Sequence, residues 1–456
     1  MLNLDKLSLE EMLGYQRIGI AFSGGVDSHV LLHFLTKKLH KHTNLFALHI
    51  NHGINDQSNL WERHCKEICN SLGVNFVSFK LSFKDSSSVN EHDLRKARYS
   101  KLLSWANDED VICTAHNKDD NTETILFRII RGTGIKGLKG IPFKRKIGNV
   151  HLIRPFLQIS KSEIIDYAKK NNLFWIEDPS NQDITFSRNF LRADILPLIK
   201  KRWPKYTDSF SHLSIHAKYS QEIAEEVADL DLKKYLLGSS NQLSLSCIGH
   251  LSEARFLNLL HRWLSNYSTQ PISFKIIQEI KKTFLTENKQ TDPIITLGGV
   301  DNEGSFQLRK YGEVLFILPH ISPVILNERP SLQWNMENPI DLPTGKLTAI
   351  KSFGKGLETD TIKGNINIQW RIGGERCKPA GRNKSQRLKK LLQEYEIPPW
   401  LRDRLPLIYI DEKLAAVADV WVCDKFLASK EKLGVCFDWK DNLNDVSIFR
   451  RKSNGF

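Results

Sequence analysis

Over the first two hundred residues, short apolar runs alternate with longer stretches in which apolar residues recur every three or four positions. Runs 18–22, 45–50, 75–79, 111–114 and 151–154 read as strands, with helices at 26–40, 56–72, 88–107, 119–131 and 160–171. That rhythm predicts an α/β domain built on a doubly wound parallel sheet. Ligands of such sheets gather at the carboxyl ends of the strands, where Phe22, His49 and Thr114 to His116 fall. From about 187 to 267 the pattern turns helical, with i, i+3, i+4 apolar spacing in 223–236 and 251–264. Residues 292–319 read as strands and turns, and an Asn-, Pro- and Gly-rich segment near 320–346 precedes a last α+β region. There the expected strands are 367–371, 407–410 and 414–417, and the expected helix 385–394. The division expected is 1–205, a mostly helical middle domain at 206–330, and a small α+β domain at 331–456.

The turn after the first strand is Ser23-Gly24-Gly25-Val26-Asp27-Ser28. Two glycines let the chain turn tightly and let a ligand approach the backbone, and the helix start behind them presents N–H groups to phosphate. Ser23 and Ser28 add hydroxyl donors, and Asp27 is the candidate ligand for a nucleotide-bound Mg²⁺. No Walker-type G-x-x-x-x-G-K-[ST] occurs in the sequence. A strand followed by S-G-G-x-D-S resembles the pyrophosphate loop of the ATP pyrophosphatases, which implies ATP as the nucleotide, held by residues 23–28.

The second motif is Thr114-Ala115-His116-Asn117-Lys118-Asp119-Asp120-Asn121-Thr122-Glu123-Thr124. A helix running from about His116 puts His116, Asp120 and Glu123 on one face, at i, i+4 and i+7. The Gly- and Lys-rich stretch 131–140 suits a mobile loop over phosphates and equally a plain connection. Residues 49–53 (His-Ile-Asn-His-Gly) can meet a nucleobase edge; a third metal ligand is missing, so histidine metal binding is not expected. Cys65 and Cys69, one helical turn apart, read as core packing. Asp178 to Asn181 is a turn signal. In Arg188-Asn189 and Arg192, a guanidinium fork onto a carboxylate or phosphate and a helix-face ion pair stand as equal readings.

Composition sharpens this. The 456 residues carry 65 Lys and Arg against 52 Asp and Glu, a formal charge of +13, which points to an acidic partner, nucleic acid above all. Seven scattered cysteines suit a reducing cytoplasm rather than a disulfide framework. The start of the chain lacks the pattern of a signal peptide, and no run approaches membrane-span length, so a cytoplasmic protein without a membrane partner is expected.

Taken together the motifs resemble the tRNA(Ile)-lysidine synthetase family. The resemblance runs through 23–28, 49–53, Arg95 with Arg98-Tyr99, 114–124, Arg131 to Gly134, Arg154-Pro155-Phe156, Asp178 to Asn181, and Arg188-Asn189 with Arg192 and Pro197. It continues in Arg371 to Arg376, Arg387 to Glu394 and Ile397 to Arg402. Asn121 replaces a usual Gln and Asn117 a frequent His. The resemblance implies an adenine nucleotide α-hydrolase-like catalytic domain at 1–205. It also implies a ligase that joins free L-lysine to carbon 2 of the wobble cytidine of an isoleucine tRNA with a CAU anticodon. The reaction passes through an adenylated intermediate, yields lysidine, AMP and pyrophosphate, and changes codon reading from AUG to AUA. ATP and Mg²⁺ are the expected cofactors. Within that reading Asp120 is the candidate general base, His116 an orienting group, and Arg188 an anchor for a carboxylate or phosphate. Arg371, Arg376, Arg387, Lys389 and Lys390 are candidate tRNA contacts. Sulfur-transfer relatives acting on tRNA generally need paired cysteines, and no C-x-x-C occurs here. A small-molecule amide ligase has no need of the basic C-terminal region, and a non-catalytic RNA-binding module has no need of the carboxylates.

Overall fold

A computed structural model describes residues 6–39, 44–51, 57–81, 91–177, 183, 185, 187–238, 240–268, 270–285, 293–298, 305–319 and 331–443. The expected turn 178–181 and residues His52 and Gly53 lie outside the described residues. The chain divides into two compact units, 1–223 and 224–456.

The first unit opens with α1 (Lys6–Leu13) and β1 (Arg17–Ala21), followed by α2 (Val26–Leu39), β2 (Asn44–Asn51), α3 (Ser58–Leu72), β3 (Asn75–Lys80), α4 (Glu91–Trp105) and β4 (Asp110–Cys113). Next come α5 (Lys118–Ile130), the single turn α6 (Ile135–Leu138), β5 (Lys144–Ile147), β6 (Val150–Ile153) and α7 (Lys161–Lys170). The strand order is β3-β2-β1-β4-β6-β5, parallel throughout except for the antiparallel edge pair β5–β6. Chain order therefore reverses between β1 and β4. In a doubly wound sheet this is where a crevice opens at the carboxyl edge, and both sequence motifs start there.

The strands bury both faces. Ile18 and Ile20 of β1 pack with Val30, Leu31 and Phe34 of α2 on one side, whereas Leu48, Ile112 and Leu152 meet Leu102 of α4 on the other. Gly19, between the two isoleucines, leaves room on that second face. A Cβ there would sit 2.6 Å from both Leu48 and Trp105 side chains. Cys65 and Cys69 are buried in the first core, as their helical spacing suggested. The unit closes with α8 (Ser187–Phe190), a π-helical turn (Leu191–Ile195), α9 (Leu196–Arg202) and the start of α10 (Tyr206–Tyr235).

In the second unit, helices Glu253–Ser265 and Phe274–Leu285 pack with a four-stranded antiparallel sheet around Leu259, Trp263, Ile280 and Leu308. Residues 331–443 form antiparallel sheets and two short helices, Leu388–Glu394 and Pro399–Arg402. Their core includes Leu347, Ile368, Leu391, Trp400 and Ile408. All seven cysteines are free. Among the described residues no helix is long and apolar enough to cross a membrane.

Candidate active site

The loop after β1 is shaped by its small residues. Gly24 has φ +84°, and a Cβ on it would lie 2.9 Å from Cys65 Sγ and 3.2 Å from Ile176 Cδ1. Both conformation and space therefore require glycine. Its carbonyl accepts from the Ile176 amide at 3.0 Å. The Ser28 hydroxyl donates to Gly25 O at 3.0 Å and accepts from the Ser23 amide at 3.2 Å. It also lies 3.1 Å from Ser23 Oγ. The two serines thus brace the turn from which α2 starts.

Across the switch point, α5 begins at Lys118 rather than at His116. Asn117 is the N-cap: its side chain accepts from the Asp120 amide at 3.0 Å, and Asp120 Oδ2 accepts from the Asn117 amide at 2.9 Å. This reciprocal capping box corrects the expected helical phase. Asp120 and Glu123 share a face, while His116 precedes the helix with Nδ1 2.8 Å from Thr114 Oγ1. Asp119 accepts from the Lys161 amide at 2.7 Å, fastening α5 to the start of α7. Lys118 pairs with Asp208 of α10.

These elements enclose a cavity of about 770 Å³. Its wall includes Ser23, Gly25, Asp27, Ser28, His116, Asp120, Glu123, Arg188 and Arg192. Four of the six expected nucleotide-loop residues therefore converge on one space with the acidic and arginine residues of this unit, whereas Gly24 and Val26 do not line it. Arg192 forks onto Glu123, with Nη2 and Nε at 2.7 and 3.1 Å from Oε2, and reaches Asp120 Oδ1 at 3.5 Å. Arg188 Nε is 4.0 Å from Glu123 Oε1. Of the two readings of this segment, ion pairing within the protein is what the structure displays, and it takes place inside the cavity.

Burial, with Asp27 and Glu123 nearby, pushes the Asp120 carboxyl up to about 6, against the Asn117 amide and Arg192. Burial, reinforced by Arg154, Arg95, Arg98 and Arg188, pushes His116 down to about 3, so it is a neutral imidazole at physiological pH. Asp27 is held by Lys161 Nζ at 2.5 Å and by Asn117 Nδ2 at 3.1 Å. Asp27 of the phosphate loop and Asp120 of α5, both on the cavity wall, are hard oxygen donors of the kind that a phosphate-bound Mg²⁺ takes, so the residues fit that ion. Among the described residues no cluster of three or more His, Cys, Asp or Glu could hold a metal by itself.

One further expectation is corrected. His49 is buried with Nδ1 2.9 Å from Phe22 O, and Asn51 donates to Glu62 at 2.7 Å, so both brace β2 rather than face a ligand. Of the stretch 131–140, which the sequence leaves open, the end at 137–140 is held as a connection: Arg128 Nη1 donates to Gly137 O and Gly140 O, both at 2.9 Å, and Ser214 Oγ donates to Lys139 O at 2.7 Å. Asn121 adds to this, its Oδ1 accepting from the Ile141 amide at 2.7 Å. Lys161 carries no chemical signal in the sequence and emerges only in three dimensions; Arg154 belongs to the resemblance, but its burial is visible only in the structure.

In the second unit, Lys389 and Lys390 are exposed on helix Leu388–Glu394, Lys390 lying 3.8 Å from Glu394. Arg387 is that helix's N-cap residue. Arg376 donates to Ser385 O at 3.1 Å, and Arg371 pairs with Asp403 at 3.0 Å.

Residues 3–199 match the PP-loop domain family, and residues 366–439 match the TilS substrate C-terminal domain. A tRNA(Ile)-lysidine synthase of Coxiella burnetii is 36% identical over 420 residues, 91% of each chain. That of Legionella pneumophila is 34% identical over 91% of this chain and 94% of its own. That of Pseudomonas syringae is 33% identical over 88% of each.

Proposed function

The chain belongs to the tRNA(Ile)-lysidine synthase family, and on that premise we propose that it modifies an isoleucine tRNA with a CAU anticodon, joining free lysine to carbon 2 of the wobble cytidine. The observation that carries this reading is the cavity itself. A phosphate loop and a half-buried acid whose carboxyl is pushed up to about 6 face one space at the sheet's switch point.

In the first step the cytosine O2 attacks the α phosphorus of ATP, forming an O–P bond as the bond to pyrophosphate breaks. The amides and hydroxyls of Ser23 to Ser28 stabilise the departing charge. Mg²⁺ held with the nucleotide by Asp27 supplies further charge neutralisation when bound.

In the second step the lysine ε-nitrogen attacks carbon 2, and AMP leaves with the oxygen. Free lysine has a side-chain pKa of about 10.4, so about one molecule in 2,500 carries the neutral amine at neutral pH. A proton acceptor at the amine therefore helps, and Asp120 serves. Its Oδ2 is tied to the helix cap, while among the described residues Oδ1 has only the long contact with Arg192. Glu123 beside it offers a second negative charge for the incoming ammonium. His116, neutral and fixed on Thr114, orients the substrate. Arg188 binds the carboxylate of lysine or the phosphate of the intermediate. Arg371, Arg376, Arg387, Lys389 and Lys390 grip the tRNA away from the anticodon, at the acceptor stem, and the enzyme works in the cytoplasm.

Pyrophosphate release measured with ATP, tRNA and each amino acid in turn tests this. Dependence on both lysine and the isoleucine tRNA is expected, and dependence on neither refutes it. Asp120→Ala is expected to abolish lysidine formation with tRNA affinity retained.

A further inference from the structure

Seven arginines line the cavity against three carboxylates, Asp27, Asp120 and Glu123. Those three are engaged by Lys161, Arg192 and Arg188. Four of the arginines belong to a separate group around one tyrosine. The guanidinium carbons of Arg95 and Arg98 lie 5.2 and 5.7 Å from the Tyr99 ring centroid. Arg154 lies beside the Tyr99 hydroxyl, and its guanidinium feels the charges of Arg145 and Arg95. Among the described residues, no carboxylate pairs with Arg95, Arg145 or Arg154.

Arg154 is 3% exposed. Its Nη1 donates to Pro142 O at 2.6 Å, but its Nε–H is buried without an acceptor. The Tyr99 hydroxyl is likewise buried outside hydrogen-bonding geometry. A buried guanidinium surrounded by like charge, with an unused donor at a cavity wall, is costly unless an anion completes it.

We propose that Arg95, Arg98, Arg145 and Arg154, with Tyr99, form an oxyanion site that receives a backbone phosphate of the RNA next to the nucleotide being modified. This rests on the tRNA reading above. Three oxyanions enter the chemistry. The triphosphate has its own cradle in residues 23–28, in the loop between β1 and α2, whereas the four arginines come from α4, β5 and the end of β6. Lysine brings a single carboxylate, which four guanidinium groups overmatch. An RNA base can reach the cavity only with its phosphodiesters attached, and bidentate arginine recognition suits them.

The test uses the full chain and a full-length isoleucine tRNA, unmodified or carrying one neutral methylphosphonate beside the wobble nucleotide. tRNA binding is measured for wild type, Arg154→Met and the exposed-residue variant Arg145→Ala, with ATP and lysine affinities measured separately. Loss of a hydrogen bond to a charged group predicts roughly tenfold or more weaker tRNA binding for Arg154→Met, and a smaller loss for Arg145→Ala. The methylphosphonate should weaken wild type comparably and cost Arg154→Met little more, the signature of coupled partners. ATP and lysine affinities should hold. Loss of ATP or lysine affinity with tRNA binding kept would assign the site to the triphosphate or the lysine carboxylate and overturn the proposal. So would full additivity of the two changes. If Arg154→Met fails to fold, Arg145→Ala with the same modified tRNA decides. Wild type that binds and modifies tRNA while the variants bind it equally well sinks this site alone; wild type that binds no tRNA sinks the functional reading too.

Discussion

Asp120→Asn should make the ligand-free protein more stable while removing its chemistry. The Asp120 carboxyl sits at about 6 in the folded protein, against about 3.9 for an unperturbed aspartate. A carboxyl raised on folding binds its proton more tightly in the native state, so ionising it costs stability. The penalty is small at low pH, grows as pH rises between the two values, and is complete above about 6. About two pKa units at about 1.4 kcal/mol each give roughly 3 kcal/mol. That is a ceiling, because the side chain is 29% exposed through the cavity and water screens part of the effect. About half is expected to survive. Asparagine keeps a carbonyl oxygen to accept from the Asn117 amide, so the cap is preserved, and it carries no charge to desolvate. For a unit of this size, about 1.5 kcal/mol corresponds to a rise in Tm of about 3–6 °C. The assay is thermal unfolding of both proteins at about pH 7.5 and about pH 4.5, with pyrophosphate release measured alongside. The gain should be present at the higher pH and shrink to about half at the lower. An unchanged or lowered Tm at the higher pH, or a gain that does not fade, would refute a raised Asp120.

Gly24→Ala forces a left-handed backbone on alanine and a 2.9 Å contact with Cys65 Sγ; a cost of about 1–3 kcal/mol should appear as lowered Tm and lost ATP binding in calorimetry. Asn121→Ala leaves the part-buried Ile141 amide without its acceptor; about 1–2 kcal/mol of stability and faster amide exchange at residues 137–141 are expected. Neutralising Lys389 and Lys390 together should weaken tRNA binding and flatten the log K against log salt slope by about one to two units; an unchanged slope counts against phosphate contact there. His33 is pushed down to about 4, first by burial and then by Lys37 and His29. A histidine lowered on folding stabilises above its unfolded value of about 6.5 and loses that contribution as pH falls towards 4, so His33→Gln should unfold less steeply with acid between those values.

What could be read from the sequence was local. The strands of the central sheet announce themselves as compact apolar runs, and the phosphate loop as a cluster of small residues between a strand and a helix. The edge strand β5, Lys-Arg-Lys-Ile, escapes this because charges protect a sheet edge rather than bury it. The helical reading of 187–267 covers the first half of α10, although its sequence, rich in Ser and His, has weak helical preference. Tertiary ties at Asp208 and Ser214 support that half. The start of α5 lies two residues beyond His116, because Asn117 is the helix's cap rather than part of it.

The site's charge balance was not local, and its partners are far apart in the chain. Arg192 and Glu123 are separated by 69 positions, Lys161 and Asp27 by 134. An arginine read alone offers a ligand contact and an internal ion pair on equal terms; only the fold shows that Arg192 already holds a carboxylate. On the function proposed, that has an energetic consequence. A cation arriving at Asp27 would meet a carboxylate already paired with Lys161, and an ammonium arriving at Glu123 one already paired with Arg192, so each association would exchange or share a partner rather than make a wholly new ion pair. At Glu123, whose side chain is 5% exposed, exchange would conserve most of the electrostatic energy, because a bare carboxylate there would carry a desolvation cost of several kcal/mol. Exchange would also free one cation beside each newly bound group. A released Lys161 or Arg192 would then stand next to the group that came in, so the cations that stabilise the empty cavity would be the ones positioned to hold its contents.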